Sequence, residues 1–162
     1  MKETPQQYSQ RILGTLNGMD PIDVLESSSA RLETLVTKLK KSERQSNEKW
    51  SAAEILAHLA ESEIVYGYRI RKALNASGTA IEATEQNVWV KNARYLQTNP
   101  QLALTLFHAV RKANLALLKS LTPEQMENFG IHSERGKESI LQMARLIAGH
   151  DINHLQQMEK LL

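Results

Sequence analysis

The sequence predicts an all-α chain, a four-helix bundle with a short N-terminal helix and a long crossover connection between the second and third bundle helices. Three observations predict it. Apolar residues recur at three- and four-residue steps in four long segments, the first three of these open on capping signatures, and no stretch alternates convincingly with period two. At 162 residues the chain reads as one domain spanning 1–162, with residues 1–19 forming an extension that packs on the bundle.

The first bundle helix starts at Asp20-Pro21, which supplies an N-cap and a proline at the first helical position, with Asp23 in the first turn. Leu25, Leu32, Leu35, Val36 and Leu39 then carry the apolar spacing to about Lys41. Ser51 and Glu54 form a capping box for the second helix, Ser51 to Leu74, and Trp50 is placed to staple back onto Ile55. Asn99-Pro100 opens the third, with Leu106, Val110, Leu117 and Leu121 on one stripe. Thr122-Pro123 caps a short helical turn, residues 130–136 read as a loop, and the fourth helix runs from Lys137 to the end. Before the first bundle helix, Ile12, Leu13 and Leu16 mark a short amphipathic piece that covers either a bundle edge or a partner. Residues 75–98 form the crossover, with a helical reading open for 83–96, and such a connection leaves the helix order open.

Composition narrows the function classes. Lys plus Arg number 20 against 18 for Asp plus Glu, without a run of like charge, so neither a nucleic-acid nor a membrane partner is expected. No cysteine is present, which excludes disulfides, thiolate ligands and a cysteine nucleophile. The polar N-terminus and the absence of a long apolar run lead us to expect a soluble, cytoplasmic protein acting on a small-molecule substrate.

The chemistry is concentrated in histidines. His150 and His154 are four residues apart on the last helix, so both rings project from one face roughly 6 Å apart along the axis. Five histidines produce about 0.15 such pairs by chance, so context has to carry the argument. On helical projections His58 lies about 60° from the centre of its core stripe, and His154 and His150 about 40° and 80° from theirs. All three are boundary residues, placed for a cleft between helices. Three imidazoles on one ion leave a coordination position open for water or substrate, the pattern of catalytic zinc-type sites. The bland alternative is three hydrogen-bonded boundary histidines. His108 and His132 lack a partner at ligand spacing and read as structural or surface residues, His108 being a reserve candidate for a pocket wall along with Val65, Tyr66 and residues 84–96.

Two acids are candidates for acid/base or ring-orienting roles. Asp151 projects toward the core beside His154, where a buried carboxylate needs a partner such as an imidazole N–H. Glu61 follows His58 by one turn on its outer side, where the alternative is a solvated surface acid. The residues alone leave two classes open: a metalloenzyme that activates water or an external thiol, and a non-catalytic bundle that holds a small ligand. Haem is a weak third reading, since the five methionines suit core packing.

At WSAAEILAHLAESE and GHDINHLQQMEKLL the sequence resembles the DinB/YfiT superfamily: Trp and a small hydroxyl residue opening a helix, then Glu, then His-Leu, and finally His-acid-x-x-His-x-x-Gln near the C-terminus. The Asp20-Pro21 start and the Leu121-Thr122-Pro123-Glu124 turn also fit, so the resemblance covers nearly the whole chain. It implies that His58, His150 and His154 bind a divalent metal, commonly zinc or nickel, and that the chain forms a homodimer. It also implies either S-transfer with a low-molecular-weight thiol co-substrate, such as bacillithiol or mycothiol, or hydrolysis.

Overall fold

The structure is a computed structural model that describes residues 3–39 and 49–162. Four long helices form the bundle: α2 (Pro21–Val36), α3 (Ala52–Asn75), α5 (Pro100–Ser120) and α7 (Ile140–Leu161). Short helices accompany them: α1 (Pro5–Gly14), α4 (Gln86–Asn92), a 3₁₀ turn at Tyr95–Gln97 and α6 (Pro123–Met126). The caps read from the sequence are present. Asp20 accepts from the backbone of Ile22 and Asp23, Asn99 from Gln101 and Leu102, and the Ser51–Glu54 box closes in both directions.

The helices do not alternate up and down. α3 packs on α5 and α7, and α2 packs on the same two, so α2 and α3 lie across the diagonal. One apolar cluster gathers Val24 and Leu25 of α2, the C-terminal half of α3, Leu118 of α5 and the N-terminal half of α7. The second gathers the C-terminal half of α2, the N-terminal half of α3, Ala103 and Phe107 of α5, and Leu155 and Met158 of α7. Helices α2 and α7 therefore run from the first cluster to the second, and α3 and α5 run back. The crossover at 75–98 thus joins two parallel neighbours, which a short hairpin cannot do.

Three segments depart from the sequence reading. Residues 130–136, expected as a loop, carry a hairpin of β2 (Phe129–His132) and β3 (Gly136–Ser139), and β1 (Thr79–Ile81) of the crossover pairs with β2 in parallel. Strands of three and four residues are too short to show a period of two. The fourth bundle helix consequently begins at Ile140, capped by Ser139, rather than at Lys137. The third departure concerns α5. Its buried face is Ala103, Phe107, Arg111, Asn114 and Leu118, while Leu106 of the expected stripe is exposed and Val110, Leu117 and Leu121 are only partly buried. A polar pair inside the true core stripe moved the apparent apolar face. The expected end of the first bundle helix near Lys41 lies outside the described residues.

Helix α1 packs on α7 and accounts for Gly149. A Cβ built there would sit 2.2 Å from the Ile12 carbonyl oxygen, so only glycine admits the α1 backbone at this distance. The Thr15 hydroxyl donates to the Gly149 carbonyl at 3.0 Å beside this contact. Ile12 and Leu16 are buried and Leu13 packs against the same cluster, so these three residues cover a bundle edge. Among the described residues no helix is long and apolar enough to cross a membrane.

Candidate metal centre

Between the two apolar clusters lies a polar belt contributed by all four bundle helices: Ser28 of α2, His58 and Glu63 of α3, Arg111 and Asn114 of α5, and His150, Asp151 and His154 of α7. The belt brings together the three histidines singled out in the sequence. Each offers a ring nitrogen within 4.8 Å of the others, and all three are buried. The Nε2 atoms of His58 and His150 are 2.9 Å apart.

The donor set fits a divalent ion. Burial lowers the His58 pKa to about 3, helped by the His154 charge, and lowers that of His154 to about 4 against the opposing pull of Gln157 and Asp151. Burial and then the charges of His154, His58 and Arg111 hold His150 well below its ordinary value. All three rings are therefore neutral near pH 7, the form that ligates. Two nitrogens on one tetrahedral ion at roughly 2.0–2.1 Å are separated by about 3.3 Å, a little more than the 2.9 Å between His58 and His150 Nε2 and inside the 4.8 Å that contains all three donors.

Partners around the rings set their orientation. His154 Nδ1 is 2.9 Å from Gln157 Oε1, which places the proton on Nδ1 and the lone pair on Nε2. Trp50 covers the cluster, its ring 5.0 Å from that of His58 and stacked 6.3 Å from that of His154. Trp50 thus does more than the staple read from the sequence, although it also packs on the cluster that contains Ile55.

Asp151 does not orient an imidazole, as the sequence reading had it. Its carboxylate accepts from the Ser28 hydroxyl at 2.6 Å and pairs with Arg111 at 2.8 Å. Lying one residue beyond His150, it projects about 100° away from that ring, and α5 meets it there with a cation. Arg111 also donates to Glu63 at 2.7 Å and to the Leu25 carbonyl at 2.9 Å. Burial opposes the guanidinium charge, but Asp151 and Glu63 together raise its pKa above the ordinary value. Asn114 completes the network by donating to both the backbone carbonyl and the carboxylate of Glu63.

Glu61 is also not a solvated acid. It is half-buried, and the hydroxyl of Tyr95, itself buried, donates to it at 2.5 Å. Burial and the Glu61 carboxylate push the Tyr95 pKa up, so the phenol stays a donor. Both residues line a cavity of about 570 Å³ whose inner wall carries His58 and His150. Val65, Tyr66 and Trp89 line it as the sequence reading expects, whereas His108 does not. His132 is buried in β2 with Nδ1 accepting the Glu134 N–H at 3.2 Å, a structural role.

Arg111, Glu63, Asn114 and Ser28 do not appear in the sequence reading, whereas Gln157 is the glutamine that closes the C-terminal His-acid-x-x-His-x-x-Gln motif. A signal for the α5 pair existed: Ala103, Phe107 and Leu118 share a helical stripe on which Arg111 and Asn114 fill the remaining places. Polar residues on a core stripe imply buried partners.

The DinB superfamily model matches residues 24–158. The chain belongs to the DinB superfamily. Two Oceanobacillus iheyensis proteins, each named a "putative metal-dependent hydrolase", are similar to this DinB chain at 27% identity over 69% of it and 23% over 65%. The matches span 64% and 61% of those relatives, somewhat less than two thirds of their length. YfiT from Bacillus subtilis, described as a "probable metal-dependent hydrolase with an unusual four-helix bundle topology", superposes with a TM-score of 0.76 at 21% identity, covering 86% of this chain and 84% of YfiT. That likeness establishes the DinB bundle fold.

Proposed function

We propose that this DinB-superfamily chain is a metal-dependent enzyme in which His58, His150 and His154 hold one divalent ion, zinc or nickel, at the inner end of the cavity. The observation that carries the reading is the convergence of three buried, neutral imidazoles beside a cavity that reaches two of them. When bound, such an ion supplies a Lewis acid that lowers the pKa of a coordinated water or thiol toward neutrality. The chain's own residues do the remaining work. Neutral rings leave the ion's charge undiminished, Gln157 fixes the tautomer of His154, and Trp50 keeps water from one side of the cluster. We assign to Glu61, held by Tyr95 on the cavity wall one turn from His58, the role of taking a proton from the nucleophile. Asp151 acts at one remove, anchoring α7 beside His150 through Arg111.

Water is the nucleophile favoured by the names of the curated relatives. A low-molecular-weight thiol co-substrate is the second reading, supported by a cavity of ligand-binding size in a chain that has no cysteine of its own. The deciding assay offers esters and amides, and separately an epoxide or chloro-aromatic with a panel of cellular thiols, to metal-loaded protein. Turnover of esters or amides without thiol supports hydrolysis, and thiol-dependent loss of the electrophile supports transfer. No turnover by metal-loaded protein would leave a metal-holding binding protein. A homodimer remains a proposal from the family resemblance alone, which sedimentation at high micromolar concentration tests.

A further inference from the structure

The far end of the same cavity is built differently from its metal end. Along α3 the lining residues are His58, Glu61, Ser62, Val65, Tyr66 and Arg69, a single stripe of three- and four-residue steps. Arg69 therefore shares the face of His58, about 16 Å further along the helix axis. Long helical side chains lean toward the N-terminus, so the guanidinium reaches back toward the histidines.

Arg69 is only 6% exposed, yet no carboxylate pairs with it among the described residues. Among the described residues its hydrogen-bond acceptor is the Glu82 carbonyl at 2.6 Å, and its guanidinium carbon lies 5.4 Å from the centre of the Tyr66 ring. Arg135 lines the same end but is held by both carboxylate oxygens of buried Glu138. The local sum is two guanidiniums against one buried carboxylate. Of the cavity's other acids, Glu3 is engaged by Arg11, Glu61 belongs to the metal end, and Glu85 and Glu134 are exposed. Burial without an ion pair lowers the Arg69 pKa, a cost that a bound anion would relieve. Tyr8 of α1 adds a phenol to the lining; burial raises its pKa against the opposing effect of a hydrogen bond with Gln86, so that it remains protonated.

We propose that Arg69 forms an oxyanion subsite, so that the substrate is an elongated small molecule with a carboxylate or phosphate at one end and its reacting group at the three-histidine end. This rests on the three histidines being the reaction centre, as argued above. A planar guanidinium with unengaged N–H groups matches either oxyanion, and the test separates the two.

The test follows the Arg69 Nε–H resonance by NMR during titration of the wild-type protein, both metal-free and zinc-loaded, with inorganic phosphate, glutarate and neutral glutaramide. The expected result is a saturable millimolar shift with phosphate or glutarate and none with glutaramide, in both metal states. The tighter of the two anions identifies the substrate group. Arg69→Gln should weaken anion binding at least fivefold, whereas Arg145→Gln, an exposed control on α7, should leave it unchanged. If Arg69→Gln does not fold, the wild-type titration decides. An Arg69 resonance that stays still with both anions, or moves equally with glutaramide, overturns the proposal. Loss of the metal reading would appear instead as no zinc retained, a result that leaves the metal-free titration standing.

Discussion

The Asp151 carboxylate lies 2.8 Å from the guanidinium of Arg111, and both side chains are almost wholly withdrawn from solvent. Asp151 follows His150 directly, so this contact fixes the stretch of α7 that presents a metal-site ring. With Glu63 on the other side, one cation serves two buried carboxylates. Arg111→Ala should therefore cost about 3–5 kcal/mol, because it strands both acids. Urea denaturation measures it, and a loss below about 1 kcal/mol would contradict the buried network.

Each of His58→Ala, His150→Ala and His154→Ala should lower bound metal sharply from about one ion per chain, with helical content retained. Elemental analysis and circular dichroism check this pair of outcomes. Because the ion binds the folded chain preferentially, chelation should also lower the melting temperature of wild type. Unchanged metal content in all three variants would exclude the proposed ligand set.

Acid should destabilise the metal-free protein. His58 and His154 titrate at about 3 and about 4 in the folded chain against 6.5 for the free side chain, so the unfolded chain takes up protons first. The stability due to their neutral burial is complete above about pH 6.5 and is lost as pH falls through the folded values. The slope approaches about 1.4 kcal/mol per pH unit for each histidine. Denaturation midpoints at pH 7 and pH 5 test it. A flat profile would mean that the rings are solvated.

Gly149→Ala should destabilise despite a gain in helix propensity of about 1 kcal/mol. The added methyl meets the Ile12 carbonyl at 2.2 Å, which α1 can relieve only by lifting from α7. We expect a net loss on the order of 1–3 kcal/mol and faster proteolytic cleavage ahead of Asp20. Unchanged stability and cleavage would show that α1 does not rest on this glycine.

Much of the helical frame was legible because caps and stripes are local signals: Asp20-Pro21, the Ser51–Glu54 box and Asn99-Pro100 each start a helix where expected. The histidine cluster was legible because two rings share one helix face and the third carries its own boundary signal. Partners across the bundle were not. Asp151 needs a buried partner, but whether an imidazole or Arg111 meets it depends on which helix lies alongside, and helix order is set by a crossover whose length alone is visible. The hairpin at 129–139 is local, but its four-residue strands are too short to show a period of two, and the third strand, β1, lies about 50 residues away in sequence.

The polar belt joins residues remote in the chain. Ser28 reaches Asp151 across 123 positions, His58 reaches His150 across 92, and Arg111 reaches Ser28 across 83. Closing loops of that length is entropically slow, whereas most contacts within each helix are local. The apolar clusters span similar separations, but non-directional apolar contacts gain as soon as they form, whereas buried polar groups gain only once every partner is in place, so we expect the belt to close last. Substitutions there should accelerate unfolding and leave refolding rates nearly unchanged, a separation that stopped-flow kinetics on Ser28→Ala would resolve. A nascent chain would then be helical and collapsed while still unable to capture an ion.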